Sequence, residues 1–406
     1  MQATAKTLAT FAVMVAASAV LPARAGIVTS DAAVEAAKGW VNLREAPGAP
    51  FDASANPTNV AAYAGEGGTG TYYVVSFEGG GYVATSGDTA FTPVLAFSRK
   101  GAFDADPENP RVKMLRFAAA AESPSSAIAS ANAAKWARLR AAATGAGSRR
   151  LAASSRPSGG VVCVSPMLKT AWSQRADRGE NYYNPYNLIN SGANAPCGCV
   201  ATAGAQLMYY WKWPSGTNVV AAGGFYASIK TSDGNLGWNA YEGYRASSTA
   251  TKMTPWNPAF GGPYDWANMK ATGTATTTTQ KKAVGRLTRD VGIATYMTWS
   301  SVDGSSPGSI FGHRLVDTFA YANAKIIGGW NENSRDAMLA SLDAGMPCFV
   351  NLSNHAVVAD GYGYAADGTL YVHYNYGWGT PRQCHTASRC STSWTDRETP
   401  TTRSAP

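Results

Sequence analysis

Apolar residues return at helical spacing over residues 30–42, where Val34, Ala37, Trp40 and Val41 share a face behind Ser30 or Asp31 as cap. A loop rich in Pro, Ala and Asn follows. The pattern then alternates: Thr71-Tyr-Tyr-Val-Val-Ser-Phe77 and Tyr82-Val-Ala-Thr85 flank a glycine run and predict a β-hairpin, with a further strand at 93–97. Residues 128–143 are Ala-rich and carry Trp136 and Leu139 at helical positions. Residues 144–160 have little to bury and predict a flexible, exposed segment open to proteases, with Arg149, Arg150 and Arg156 inside it. From Val200 to Pro214 the helical period is carried by Ala203, Leu207, Met208 and Trp211. Helices are also expected around 281–291 and 311–322 and behind a Ser334 cap up to Gly345, and strands at 348–351, 355–359 and 370–375. Helices first and strands last in this second unit predict an α+β fold rather than an alternating parallel sheet.

Composition changes the picture at both ends. Residues 1–25 run from Lys6 through the apolar stretch Leu8 to Leu21 to Ala23-Arg24-Ala25, the layout of a secretory signal peptide, so cleavage before Gly26 and export are expected. The apolar run is short for a membrane span, and no membrane partner is expected. Residues 380–406 contain no Val, Ile, Leu, Met, Phe or Tyr, which predicts a tail that is disordered or out of frame. The formal charge of +8 is spread along the chain without a basic run interleaved with aromatics, so no nucleic-acid partner is expected. Six cysteines are too few, over 406 residues, for a disulfide-built scaffold.

One cysteine sits where its chemistry changes. Cys199 opens the helix that runs to Pro214, and the unpaired N–H groups and positive dipole end of a helix favour a thiolate, the nucleophilic form. Gly198 before it lets a substrate backbone approach closely. A lone cysteine on a core helix is more often structural, so a catalytic one needs a base. Of the four histidines, His355 stands at the mouth of a short apolar strand in Asn354-His-Ala-Val-Val-Ala-Asp-Gly361 and is the strongest candidate. His313, beside Arg314 in a helical pattern, reads as a surface residue. His373 alternates with Tyr371 and Asn375 and reads as a core or face residue. Asn375 can accept from the imidazole as an orienting group, Trp378 can shield the site from water, and Gln174 with the Cys199 backbone N–H can supply oxyanion donors. Cys384, His385 and Cys390 with Cys197 and Cys199 match no usual zinc spacing, so no metal and no cofactor are expected.

Five segments occur in an order that resembles the streptopain family of secreted, papain-like cysteine peptidases: Thr170-Ala-Trp-Ser-Gln174, Tyr183-Asn-Pro-Tyr-Asn187, Gly198-Cys-Val-Ala-Thr-Ala203, Asn354-His-Ala-Val-Val-Ala-Asp-Gly361 and Asn375-Tyr-Gly-Trp-Gly379. The hairpin Tyr72 to Val83 resembles that family's inhibitory propeptide. The resemblance implies a papain-like fold, a helical part plus an antiparallel sheet, preceded by a small α+β propeptide domain. It implies Cys199 as nucleophile, His355 as general base, Gln174 as oxyanion donor and Trp378 on the cleft wall, with Ser306 and Gly308 in a loop lining the substrate cleft. The expected organisation is a signal peptide (1–25), an inhibitory propeptide (26–117), a linker with the activation cleavage region (118–160), a peptidase domain (161–379) and the atypical tail (380–406). Expected partners are protein or peptide substrates and the chain's own propeptide.

Three features depart from the family pattern, the third being the tail after Gly379, where the family continues with an aromatic-rich strand and further sheet. Cys197 lies two residues before the nucleophile, where it can compete for oxidation or form a regulatory disulfide, and Tyr376 stands where the family has Trp. Two other readings use the same scaffold: an inactive secreted binding or inhibitory protein, which the tail favours, and a Cys/His acyltransferase or amidase.

Overall fold

The computed structural model describes the chain outside residues 1–25, 47–50, 52–55, 108, 144–159, 176–181, 185–194, 216–225, 232–233, 240–244, 247–260, 262, 273–274, 300–303, 323, 330, 353–354, 380–391 and 397–406. The N-terminal unit opens with α1 (Ser30–Asn42), capped by Thr29, one residue ahead of the expected caps. Four strands follow as an antiparallel meander: β1 (Pro57–Ala64), β2 (Thr71–Phe77), β3 (Tyr82–Ser86) and β4 (Val94–Ser98). β1 falls where a loop was expected. Its sequence is poor in β-formers, and its extended form is imposed by pairing along the length of β2.

Two helices complete this unit. α2 (Pro110–Ala119) was not foreseen; it starts at an Asn109 cap with proline in its first turn. α3 (Ser126–Ala143) packs on α1 and buries Trp136 and Leu139, and the Trp136 indole donates to the Phe91 carbonyl at 2.9 Å. The expected flexible linker therefore does not begin at 118. Large apolar side chains on a helix of good formers give 126–143 enough to bury, and the cleavage region at 144–159 lies outside the described residues.

The C-terminal unit comprises β5 (Val161–Val164), α4 (Cys199–Trp211), β6 (Tyr226–Thr231), β7 (Gly234–Asn239), β8 (Arg245–Ala246), α5 (Thr278–Ala294), β9 (Thr298–Trp299), β10 (Gly304–Ser305), α6 (Ile310–Asp317), α7 (Glu332–Asp343), β11 (Cys348–Leu352), β12 (His355–Tyr364), β13 (Leu370–Asn375) and β14 (Thr392–Asp396). α7 is capped by Asn331, not Ser334; Ser334 is the third helical residue and bonds back to the Asn331 N–H, closing a capping box. α6 stops short of the expected end, and Ala320 beyond it takes a left-handed conformation.

Strands from both units join in one sheet, in the order β1-β2-β3-β4-β14-β13-β12-β11, with β5 paired to β12. A smaller sheet runs β10-β9-β6-β7-β8. Residues 392–396 of the tail form β14. Too polar to order itself, this segment is held by main-chain pairing to β13 on one side and to β4 on the other.

α4 is buried on all sides from Val200 to Met208, against α5, α6 and the sheet. Its small residues permit this, since a Cβ on Gly204 would lie 2.6 Å from the Phe311 ring. A second core cluster unites Trp40, Phe97 and Trp136 of the N-terminal unit with Ala365 and Tyr371 of the C-terminal one. Among the described residues no helix is long and apolar enough to cross a membrane.

Candidate active site

The turn before α4 sets the position of Cys199. Gly198 takes φ 84° and ψ 162°, and a Cβ there would lie 2.4 Å from the Gly304 carbonyl oxygen, so this turn demands glycine. Cys199 is then the first helical residue and is half-buried. Cys197 is placed differently. It is fully buried, its Sγ lies 3.1 Å from Thr202 Oγ1, and its carbonyl accepts the Trp299 indole N–H at 3.1 Å. The two are separate thiols, and burial shields Cys197 from reagents and oxidants that reach Cys199.

Backbone bonds tie this turn to two further segments. The Gln174 carbonyl accepts from the Cys197 N–H at 2.9 Å, and the Gln174 N–H donates to the Gly377 carbonyl at 2.9 Å. Gly379 donates to the Trp172 carbonyl at 3.1 Å, and Ser173 bridges Trp378. Gln174 and Trp378 are both buried here, with the Arg175 guanidinium 5.4 Å from the Trp378 ring centre. The loop carrying Ser306 and Gly308 approaches from another side: Gly304 abuts Gly198, and the Asn351 side chain of β11 lies against Gly308. Gln174 and Trp378 are thus tied by main-chain bonds to the segments around the Cys199 turn, and the loop carrying Ser306 and Gly308 reaches that turn through Gly304.

His355 heads β12, next to Ala356, which belongs to the core cluster on which Cys199 packs. Its Nε2 lies 3.1 Å from the Tyr376 carbonyl oxygen. A carbonyl only accepts, so Nε2 carries the hydrogen and the neutral ring keeps its lone pair on Nδ1. Burial lowers the pKa of the ring to about 4; the Tyr376 carbonyl opposes this and the Lys113 charge adds to it. Lys113 belongs to α2, and two of its helix neighbours touch the same loop. Arg111, buried, donates to Tyr82 Oη at 2.6 Å and lies 5.8 Å from the ring centres of both Tyr82 and Tyr376, and the Tyr376 hydroxyl donates to Met114 Sδ at 3.3 Å.

The Asn375 amide bonds groups other than the imidazole. It is fully buried, its Oδ1 accepts from the Gly377 N–H at 3.0 Å and from Gln206 Nε2 at 3.1 Å, and its Nδ2 donates to the Thr170 carbonyl at 2.7 Å. The main-chain oxygen next to it takes the ring instead. His373 is buried with its Nδ1 2.6 Å from Asp360 Oδ1, a partner the sequence pattern did not single out. His313 is exposed. Among the described residues no three metal-ligating side chains cluster, and Cys384, His385 and Cys390 lie outside them. Sequence reasoning missed the α2 residues, although Asn109-Pro110 is a helix-start signal, and Gln206, which stands two turns after Cys199 on the same side of α4.

Residues 172–383 match the model of the peptidase C10 family, and residues 25–122 that of the Spi protease inhibitor. The chain is a member of the peptidase C10 family. Streptopain of Streptococcus pyogenes serotype M1 is 26% identical to this C10 peptidase over 341 residues, covering 76% of this chain and 71% of that protein. The thiol protease/hemagglutinin PrtT of Porphyromonas gingivalis is 29% identical over 241 residues, 53% of this chain and 23% of that one. Among solved structures, a prointerpain A fragment of Prevotella intermedia superposes with a TM-score of 0.50 at 20% identity, covering 86% of this chain and all of that one. The C10 member is therefore a cysteine peptidase with a propeptide inhibitor domain, and its fold is the papain-like one with that domain in front.

The buried histidine makes stability depend on pH in a defined direction. The unfolded chain binds a proton at His355 below about pH 6.5, whereas the folded chain does so only below about pH 4. Stability from this group is complete above the upper value and lost as pH falls through the window, on the order of 3 kcal/mol in all. Urea unfolding at pH 7 and pH 4.5 should show the loss in the parent and a smaller one in His355→Asn. Comparing the two separates His355 from Glu45 and Asp290, whose pKa values burial pushes up and which act with the opposite sign. Equal pH dependence in parent and variant would remove His355 as the cause.

Proposed function

We propose that the chain is an exported zymogen of a cysteine endopeptidase in which Cys199 and His355 are the catalytic pair. His355 Nδ1 takes the proton from Cys199 Sγ, and the thiolate attacks the peptide carbonyl carbon, forming a C–S bond and an oxyanion. The Cys199 backbone N–H and Gln174 stabilise that oxyanion. Collapse expels the amine, which receives the proton from His355, and water then hydrolyses the thioester. Trp378 walls the cleft, and Ser306 and Gly308 line it. The observation that carries this reading is the pinned ring: with Nε2 committed to the Tyr376 carbonyl, Nδ1 is the basic nitrogen.

The N-terminal unit acts as the intramolecular inhibitor. Burial of His355, with the Lys113 charge of α2 adding to it, disfavours an imidazolium while the N-terminal unit is in place, and so disfavours the thiolate–imidazolium pair. Cleavage in 144–159 would permit that unit to depart. Export through residues 1–25 is part of the same reading.

The test is thiol alkylation of the processed chain. At mildly acidic pH, iodoacetamide should stop casein cleavage in step with an adduct mapped by mass to Cys199, and Cys163→Ser, which removes the exposed thiol, should leave that outcome unchanged. An adduct at Cys197 accompanying the loss, or casein left intact by the unmodified processed chain, would refute the assignment.

A further inference from the structure

Gln206 is wholly buried two turns along α4 from Cys199, and its amide is committed in one sense only. The Thr170 carbonyl can only accept, so Asn375 Nδ2 faces it; the Gly377 N–H can only donate, so Asn375 Oδ1 faces that. Gln206 must then present its NH2 to Asn375 Oδ1, as it does at 3.1 Å. Its own Oε1 is buried and accepts from no described group. An unsatisfied buried acceptor is costly, so a residue that only filled space here would be better as an apolar one. Thr202, one turn nearer Cys199, supports the same contact. A Cβ on Gly377 would lie 2.7 Å from Thr202 Cγ2, and Gly377 takes φ 63°, so the loop lies flat on α4.

The link continues to the imidazole. Asn375 and Gly377 flank Tyr376, whose carbonyl takes His355 Nε2. Fixing the residues on both sides of Tyr376 fixes the direction of that carbonyl.

We infer that Gln206 is a positioning residue of the peptidase, holding Asn375 and Gly377 so that the Tyr376 carbonyl pins the His355 ring in one tautomer, in line with the helix that carries Cys199. This deepens the catalytic roles proposed above and rests on them only for its rate consequence.

The experiment compares the parent with Gln206→Met, a near-isostere without the donor, and Gln206→Glu, which supplies a donor when protonated. Nitrogen-15 histidine spectra of the full chain report the tautomer and titration of each ring, and His355→Asn identifies the His355 signals. In the parent, His355 should show a single Nε2–H tautomer. In Gln206→Met the tautomers should mix and the ring should titrate nearer 6.5, while His373 stays as it was. Gln206→Glu should fall between the two and approach the parent as pH is lowered. After processing, Gln206→Met should lose about 10- to 100-fold in kcat with KM nearly unchanged. An unmoved His355 spectrum in Gln206→Met, or identical spectra in Gln206→Met and Gln206→Glu, would overturn the inference. A processed parent that fails to cut casein would refute the catalytic roles, yet the ring spectra would still decide for or against Gln206.

Discussion

Cys199→Ala should leave the chain from Gly26 at constant mass for as long as the parent takes to shed its N-terminal unit. Removing a covalent nucleophile takes away the bond-forming step, and losses of about 10^4- to 10^6-fold in rate are usual when a member of such a pair is deleted. The folded state should hardly notice. Cys199 is half-buried, and replacing its thiol by hydrogen opens a small gap at the edge of the cluster around α4. Intact mass over time, with urea unfolding alongside, separates the two effects. A variant that trims itself as the parent does would show that the nucleophile lies elsewhere.

Gly198→Ala should be costly in the opposite way, through the fold. At φ 84° an L-residue is strained by roughly 1–3 kcal/mol. The added Cβ would also press into the Gly304 backbone, 2.4 Å from its oxygen and 2.9 Å from its carbonyl carbon. Neither strand of that contact can yield easily: Cys197 is tied to Gln174 and Trp299, and Gly304 pairs within β9–β10. A loss of about 3 kcal/mol or more is expected, read from the urea midpoint at unchanged slope. Because the shift falls on the residue before Cys199, activity should fall further than the lost fraction of folded chain explains. A stability change below about 1 kcal/mol would mean that the loop gives way freely.

The contrast between these two positions shows what was legible in the residues. The positions of Cys199, its glycine and His355 could be read directly because a helix start, a close approach and a strand mouth are all local properties. Asn375 was read as the partner of the imidazole because an amide can accept. Three other groups claim that amide, and two of them are main-chain atoms whose position no pattern of side chains reveals. β1 escaped notice for a related reason, since strand pairing supplied what its Pro- and Ala-rich sequence lacked. α2 carries the clearest lesson. Its start signal at Asn109-Pro110 was present, but Val112 and Leu115 sit among Arg111, Lys113 and Arg116, so its apolar stripe is thin. What it does depends on which loop it meets.

β14 lies between β4 and β13, so inhibitor and peptidase are joined main chain to main chain as well as side chain to side chain. Releasing the inhibitor would strip that strand of one row of partners and turn its N–H and C=O groups toward water. Activation would thus create a raw edge, a template for any extended segment that comes near. The freed peptidase would be drawn to recapture a β4-like strand or to add itself to a second copy, and its lifetime in solution would depend on how well that edge is covered.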